Sequence, residues 1–354
     1  MSRPLDPAST GKVPPAAAEP DLLRWEDGAR VEHGAGWPAR AREWRTTIVD
    51  ALYGGLPKAP RTSAHTLRSA SRVARLPGAP VHEVFRIVVE GGEVAVPLAL
   101  HLLRPAVDRP VPVVLHGDGC WWPPTEATVH AVLAGGAAVA RFDRTDVADD
   151  PAAAAATIAD RRSGPLYDAH PEATFGAIAA WAWAYHRCVD LVERHPAIDA
   201  SRIAVTGFSR GGKAALLAGA TDERIALVHD HASGAGGAAL ARVVGPGGET
   251  LEQVVARFPA WFGPAAPALA RDAHAMPFDQ HVLLALIAPR RLLLTYAEDD
   301  AWSNPDGARR AVEAARAVYR LLGAEHALEF RMRPGGHEHT EADWTAMLEV
   351  LSSL

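Results

Sequence analysis

The stretch Arg202-Ile-Ala-Val-Thr-Gly207-Phe-Ser209-Arg210-Gly211-Gly212-Lys213-Ala-Ala-Leu-Leu-Ala-Gly-Ala220 passes from a short apolar segment, through G-x-S-x-G, into an Ala- and Leu-rich segment. A strand before that pattern and a helix after it are the context that makes a weak motif specific. The turn between them must be sharp, so Gly207 and Gly211 stand where a side chain would push strand and helix apart. Ser209 then sits exposed at a helix N-terminus, where free N–H groups and the helix dipole favour developing negative charge. The backbone N–H of Arg210 is therefore a natural oxyanion donor. The competing reading is a serine that only caps a helix in a Gly-rich turn.

A serine hydroxyl is a weak nucleophile unless a base takes its proton and a third group orients that base. Behind an elbow of this kind the partners follow as acid and then histidine, each after a later strand. Arg291-Leu-Leu-Leu-Thr-Tyr296 leads into Glu298-Asp299-Asp300, and Leu328-Glu-Phe-Arg-Met-Arg333 leads into Pro334-Gly-Gly-His337-Glu-His339. Asp300 is the first choice of acid, Asp299 the second and Glu298 the third, against the reading of a solvated acidic loop. His337 is preferred to His339 because it directly follows the Gly-Gly turn that would bring the loop to Ser209. A second oxyanion donor is expected after the third strand, in His116-Gly117-Asp118-Gly119-Cys120-Trp121-Trp122, with Gly117 and Asp118 as candidates. Trp121 and Trp122 either line a pocket there or serve structure alone.

Working outward, Asp21 to about Leu56 has apolar residues at helical spacing around Trp25, Trp44, Ile48 and Leu52 and stops at Gly54-Gly55 and Pro57, which predicts a helical cap. A polar connector follows, to about residue 80. Dense or alternating apolar runs predict strands at 82–89, 94–103, 111–116 and 137–142, then at 202–206, 225–229, 291–296 and 328–332. The first two are joined by Glu90-Gly91-Gly92-Glu93, a hairpin connection; the later ones are far enough apart for crossover helices, of which 174–194 and 210–220 are the clearest. The expectation is an α/β catalytic domain over 81–354, with a mixed, mostly parallel, eight-stranded sheet and helices on both faces. The Ala-rich stretch at 151–159 decides nothing.

Composition narrows the function. The 354 residues carry 36 Lys and Arg against 42 Asp and Glu, a net charge of −6, which does not suit a nucleic-acid binder. No window reaches the roughly 18 uninterrupted apolar residues of a membrane span. Cys120 and Cys188 are far apart, so neither a disulfide framework nor a cysteine zinc site is indicated. No H-E-x-x-H helix occurs, and neither a metal nor a cofactor is expected. The first twenty residues carry Pro4, Pro7, Pro14, Pro15 and Pro20 and lack the apolar core of a secretory signal, so a disordered tail and a cytoplasmic protein are expected.

Several blocks, in order from Trp181 to Trp344, resemble the bacterial branch of the glucuronoyl esterases, carbohydrate esterase family fifteen. They are Trp181-Ala-Trp183, the Gly207 to Lys213 elbow, Ser233-Gly-Ala-Gly-Gly237, Pro277-Phe-Asp-Gln280-His281, Ala288-Pro-Arg290, Asp300-Ala-Trp302 and His337. The resemblance implies an α/β-hydrolase fold and cleavage of an ester between the carboxyl of 4-O-methyl-glucuronate and an alcohol. It implies that the Arg210 side chain adds to oxyanion stabilisation, that Lys213 binds sugar hydroxyls, and that Trp302 and Glu249 contact the sugar. Without the resemblance, Lys213 reads equally well as a surface helix lysine. Fungal members carry the catalytic Glu just before the Ser-Gly-x-Gly-Gly segment, where this chain has Ala232, so the acid here is expected after the seventh strand, in agreement with Asp300.

The expected activity is therefore a cofactor-free serine carboxylic-ester hydrolase with Ser209, His337, Asp300 and Arg210 in catalytic roles, acting on a small-molecule or oligosaccharide uronate ester. Two readings compete with it. One is an acetyl or other short-acyl esterase on the same scaffold; the other is a catalytically silent binding module that keeps the fold.

Overall fold

Nine strands in the order β1-β2-β3-β5-β4-β6-β7-β8-β9 make one sheet. This is seen in a computed structural model that describes residues 19–60, 62–90, 94–150 and 162–354. The expected tail through residue 18, the turn at 91–93 and the Ala-rich stretch at 151–159 lie outside the described residues. The strands are β1 (Thr62–Arg72), β2 (Val81–Glu90), β3 (Val96–Arg104), β4 (Val111–His116), β5 (Ala138–Arg141), β6 (Ile198–Phe208), β7 (Leu227–His231), β8 (Arg291–Ala297) and β9 (Leu328–Arg333). β1, β2 and β3 are antiparallel neighbours, and β3 pairs antiparallel with β5. From β5 to β9 all pairing is parallel.

The helices are α1 (Trp37–Tyr53), α2 (Glu126–Ala134), α3 (Pro165–Ala169), α4 (Ala177–Val192), α5 (Arg210–Thr221), α6 (Leu251–Arg257), α7 (Ala266–Ala270), α8 (His281–Ile287), α9 (Pro305–Leu321) and α10 (Glu341–Ser352). α2, α4, α5, α8 and α9 are the crossovers that parallel pairing requires. Alternation along the central strands separates two cores. Val113, Leu115, Ile203 and Val205 face α4, α5, α8 and α9, while Val114, Val139, Ala204, Leu227 and Leu293 face α2 and α10. Covered on both sides, β4 is buried at all six positions, which is why Val-Pro-Val-Val-Leu-His reads as a nearly unbroken apolar run.

All eight expected strands form, and the ninth corrects the count. β1 occupies part of the stretch read as a polar connector and pairs with β2 from Thr62 opposite Glu90 to Arg72 opposite Val81. As an edge strand with mostly exposed side chains, it carries Ser, Thr, His and Arg and has no apolar periodicity to betray it. The boundary drawn at residue 80 is likewise not a division of the core. α1 ends at Gly54, in the left-handed region at φ 77°, as the Gly-Gly-x-Pro signal predicts. Its buried Trp37, Trp44, Ile48 and Leu52 lie in the same cluster as Leu283 and Leu284 of α8.

One side chain ties the ends of the two strands that carry the functional loops. Tyr185 of α4, fully buried, donates its hydroxyl proton to the Thr206 carbonyl at 2.8 Å and accepts the Gly117 N–H at 2.9 Å. Tyr185→Phe leaves both backbone groups without that partner and is expected to cost about 1–3 kcal/mol. In urea denaturation the midpoint should fall at unchanged slope; an unaltered midpoint would show that the hydroxyl is dispensable.

Candidate active site

Ser209 occupies the turn between β6 and α5 with φ 54° and ψ −115°, a backbone conformation that a residue with a Cβ adopts only under constraint. The constraint is visible. The Ser209 N–H donates to the His231 carbonyl at 2.9 Å, and the Lys213 N–H donates to the Ser209 carbonyl at 3.1 Å. A Cβ at Gly207 would overlap the Gly211 backbone, and one at Gly211 would overlap the Asp118 carboxylate. Asp118 in turn accepts the Phe208 N–H at 2.9 Å. The two glycines are needed for closeness of approach, as the motif predicts.

The loops after β8 and β9 bring an acid and an imidazole to the serine. His337 Nε2 lies 3.0 Å from Ser209 Oγ, and His337 Nδ1 lies 2.7 Å from Asp300 Oδ2. The His337 side chain is 34% exposed and that of Asp300 1%, so the base is reachable while its orienting acid is not. Burial works against the Asp300 carboxylate, but the hydrogen bonds from His337 and from Ser303 outweigh it together and hold its pKa below the ordinary value. Asp299 and Glu298 point outward and are exposed, which removes them as partners of His337. His339 is buried instead in a histidine cluster, stacked on His231 at 4.8 Å and on Trp344 at 5.1 Å.

Arg210 opens α5, so its N–H has no intrahelical acceptor. Its guanidinium donates to Asp150 Oδ2 at 3.1 Å and lies over the Trp121 ring at 3.9 Å. The loop after β4 departs from expectation. The Gly117 N–H is committed to Tyr185 and the Gly119 N–H to the Phe142 carbonyl at 3.3 Å. Asp118 is fully buried, its carboxylate shared between the Phe208 N–H and the Arg144 guanidinium. The Gly117 N–H is therefore taken up by Tyr185, and the Asp118 side chain braces the elbow from behind.

Lys213 is buried, not a surface lysine. Its ammonium donates to the Ser233 carbonyl and to the Ala235 carbonyl, the latter at 2.7 Å, and so holds the Ser-Gly-Ala-Gly-Gly loop. Burial lowers its pKa to about 8, against the pull of Glu249 and Asp230. Glu249 is buried and pushed up by desolvation, with Lys213, Arg257, His337 and Arg210 pulling the other way, so the carboxyl lies within electrostatic reach of the serine's neighbours. Its N–H donates to the carbonyl of Trp302, whose side chain is 48% exposed at the rim. Asp150, which holds Arg210, and Arg144, which holds Asp150, had no signal in the sequence: the pairs span 60 and 6 positions and belong to no motif. Among the described residues no group of three or more His, Cys, Asp or Glu is placed to hold a metal ion, and no described helix is long and apolar enough to cross a membrane.

A family model described as glucuronyl esterase of fungi matches residues 87–323, well over half of the chain. The chain belongs to the glucuronoyl esterase family. A solved glucuronoyl esterase of carbohydrate esterase family 15 from Caldicellulosiruptor kristjansonii superposes with a TM-score of 0.80 at 30% identity, over 94% of this chain and 89% of that one. A carbohydrate esterase from an unknown prokaryotic organism is 38% identical over 190 residues, 49% of this chain and 44% of that relative. A 4-O-methyl-glucuronoyl methylesterase of Sodiomyces alcalophilus is 35% identical over 213 residues, 58% of this chain and 42% of that relative. The chain thus matches less than half the length of these two curated relatives. The doubly covered mixed sheet is the α/β-hydrolase fold of these esterases.

Behind Phe208, whose ring lies 4.6 Å from that of His337, this family member packs four buried histidines. Desolvation holds His116 down to about 4 and His229 to about 3, and pushes His231 and His339 down as well; Asp343, 3.6 Å from His231, acts in the opposite sense. The folded state therefore keeps these rings neutral. Above the unfolded value of about 6.5 neither state binds the protons and stability is insensitive to them. As pH falls below it, the unfolded chain protonates first and stability is lost. Thermal melts from pH 7 to pH 4 should show a steep fall in Tm beginning near pH 6.5; a flat profile to pH 4.5 would contradict neutral burial.

Proposed function

We propose that this protein is a serine carboxylic-ester hydrolase that cleaves glucuronoyl esters through an acyl-enzyme. The observation that carries the reading is the continuous relay of Ser209 Oγ, His337 and Asp300 at 3.0 and 2.7 Å, beside a helix N-terminus that begins with Arg210. Ser209 attacks the ester carbonyl and His337 Nε2 takes its proton. Asp300 fixes the tautomer that makes Nε2 the acceptor and stabilises the imidazolium. The tetrahedral oxyanion is met by the Arg210 N–H and by the guanidinium charge. His337 returns the proton to the departing alcohol, then activates the water that releases the uronic acid.

The substrate side is supported by the family and by the surroundings of the serine. An ammonium on three donors, two of them committed to loop carbonyls, leaves one for a hydroxyl. A buried carboxylate and an exposed tryptophan complete a site suited to a polar ring: Glu249 accepts hydroxyl protons, and Trp302 offers a flat apolar face.

Two measurements on benzyl glucuronate test this. Asp300→Asn leaves the shape but favours the wrong tautomer, and kcat should fall by about 10⁴-fold; a loss under tenfold would remove Asp300 from the relay. Lys213 supplies the second. On passing pH 8 its ammonium loses a proton, and the two N–H groups that remain are those already held by Ser233 and Ala235. KM for the uronate ester should rise above pH 8 while KM for 4-nitrophenyl acetate stays level. Equal behaviour of the two substrates would favour a short-acyl esterase.

A further inference from the structure

Five groups in a row link the elbow to the arginine at its far side. Asp118 accepts the Phe208 N–H with one oxygen and the Arg144 guanidinium with the other. Arg144 reaches on to Asp150 Oδ2 at 2.9 Å, and Arg210 donates to that same oxygen at 3.1 Å. Arg144 is fully buried and its guanidinium lies over the Trp181 ring at 4.8 Å, so it cannot touch a substrate. The Arg210 guanidinium lies over the Trp121 ring at 3.9 Å and over the Trp261 ring at 5.2 Å.

The chain alternates acid and base and is balanced in charge, but balance alone does not explain it. A buried ion pair is often no more stabilising than apolar residues of the same volume. What this arrangement does is fix a guanidinium in direction. An arginine at the mouth of a site has several free torsions and would have to be ordered each time an oxyanion forms. Held by Asp150 and packed against two indoles, it meets the anion without reorganisation, and such preorganised charge is where catalytic electrostatics is strongest. Burial works against the Asp150 carboxylate, but Arg144 and Arg210 more than offset it and keep it charged.

We propose that Asp150 is a positioning residue that acts through Arg210 to stabilise the oxyanion, with buried Arg144 as the counter-charge that holds Asp150 in place. The proposal rests on the ester-hydrolase reading above. It places a determinant of turnover outside the elbow and outside the loops that carry Asp300 and His337.

The test is a double-mutant cycle on Asp150→Asn and Arg210→Ala, with the bimolecular rate of Ser209 phosphonylation by a fluorophosphonate probe and kcat and KM for benzyl glucuronate as readouts. The probe passes through an oxyanion whatever the natural ester is. Asp150→Asn should lower the phosphonylation rate and kcat by about 10- to 100-fold with KM within twofold, and should change the rate by less than twofold when Arg210 is already Ala. Independent, multiplicative losses would overturn the proposal and leave Asp150 a structural residue. If urea denaturation shows that Asp150→Asn does not fold, Asp150→Glu carries the test: it keeps the charge, displaces the guanidinium by one methylene, and should show a smaller loss that also vanishes in the Arg210→Ala background. A wild type that reacts with the probe but spares the uronate ester would overturn the substrate reading alone. A wild type inert to the probe would overturn both.

Discussion

The close packing of β6 against the N-terminus of α5 is the constraint on which the rest of the site depends. Ser209 holds φ 54° because Gly207 and Gly211 let backbone meet backbone, and because Asp118 fills the space under Gly211 and takes the Phe208 N–H. Such strain persists only where surrounding structure over-determines it. Here the surroundings are a buried carboxylate, its arginine, and a carbonyl at the end of the neighbouring strand β7. Once the turn is held, the serine hydroxyl points out at the carboxyl end of the parallel strands, where the loops after β8 and β9 deliver Asp300 and His337.

The electrostatics follow a division between buried and open groups. Asp300, Asp118, Asp150 and Lys213 are buried and matched with partners, whereas the His337 ring and the Trp302 rim are open. Fixed charges beneath a reachable imidazole suit chemistry in which negative charge appears briefly on a substrate oxygen. The neutral histidine cluster behind Phe208 fits the same division. Its rings pack as aromatic bodies, with His231 bonded to the Thr295 hydroxyl at 2.6 Å and to the Glu338 carbonyl at 2.7 Å, so the loop that carries His337 is anchored from below.

Much of this was legible in the sequence because the relevant signals are local. The elbow is a pattern over a few residues, the doubly buried strands read as apolar runs, and the acid and histidine follow their strands immediately. Where local signals stop, reading stops with them. β1 is an edge strand with a polar sequence, so periodicity could not mark it. β7 runs on to Asp230 and His231, two polar residues whose burial no composition rule anticipates. The choice of Asp300 over Asp299 depends on which of two adjacent side chains turns inward. Gly117 and Asp118 were given an oxyanion role by their place after the third strand, yet Tyr185, distant in sequence, takes the Gly117 N–H. Asp150 and Arg144 are visible only when the fold brings them beside Arg210.

The central claim is that Ser209, oriented by this framework, opens a uronate ester. It is tested most directly by hydrolysis of methyl glucuronate and of 4-nitrophenyl acetate with the wild type and Ser209→Ala side by side. The account predicts that the wild type cleaves the glucuronate ester with the higher kcat/KM and that Ser209→Ala loses both activities by a factor on the order of 10⁴ to 10⁶ while its urea midpoint is unchanged. Glucuronate ester cleavage that survives in Ser209→Ala, or a wild type that cleaves only the acetate, would contradict it.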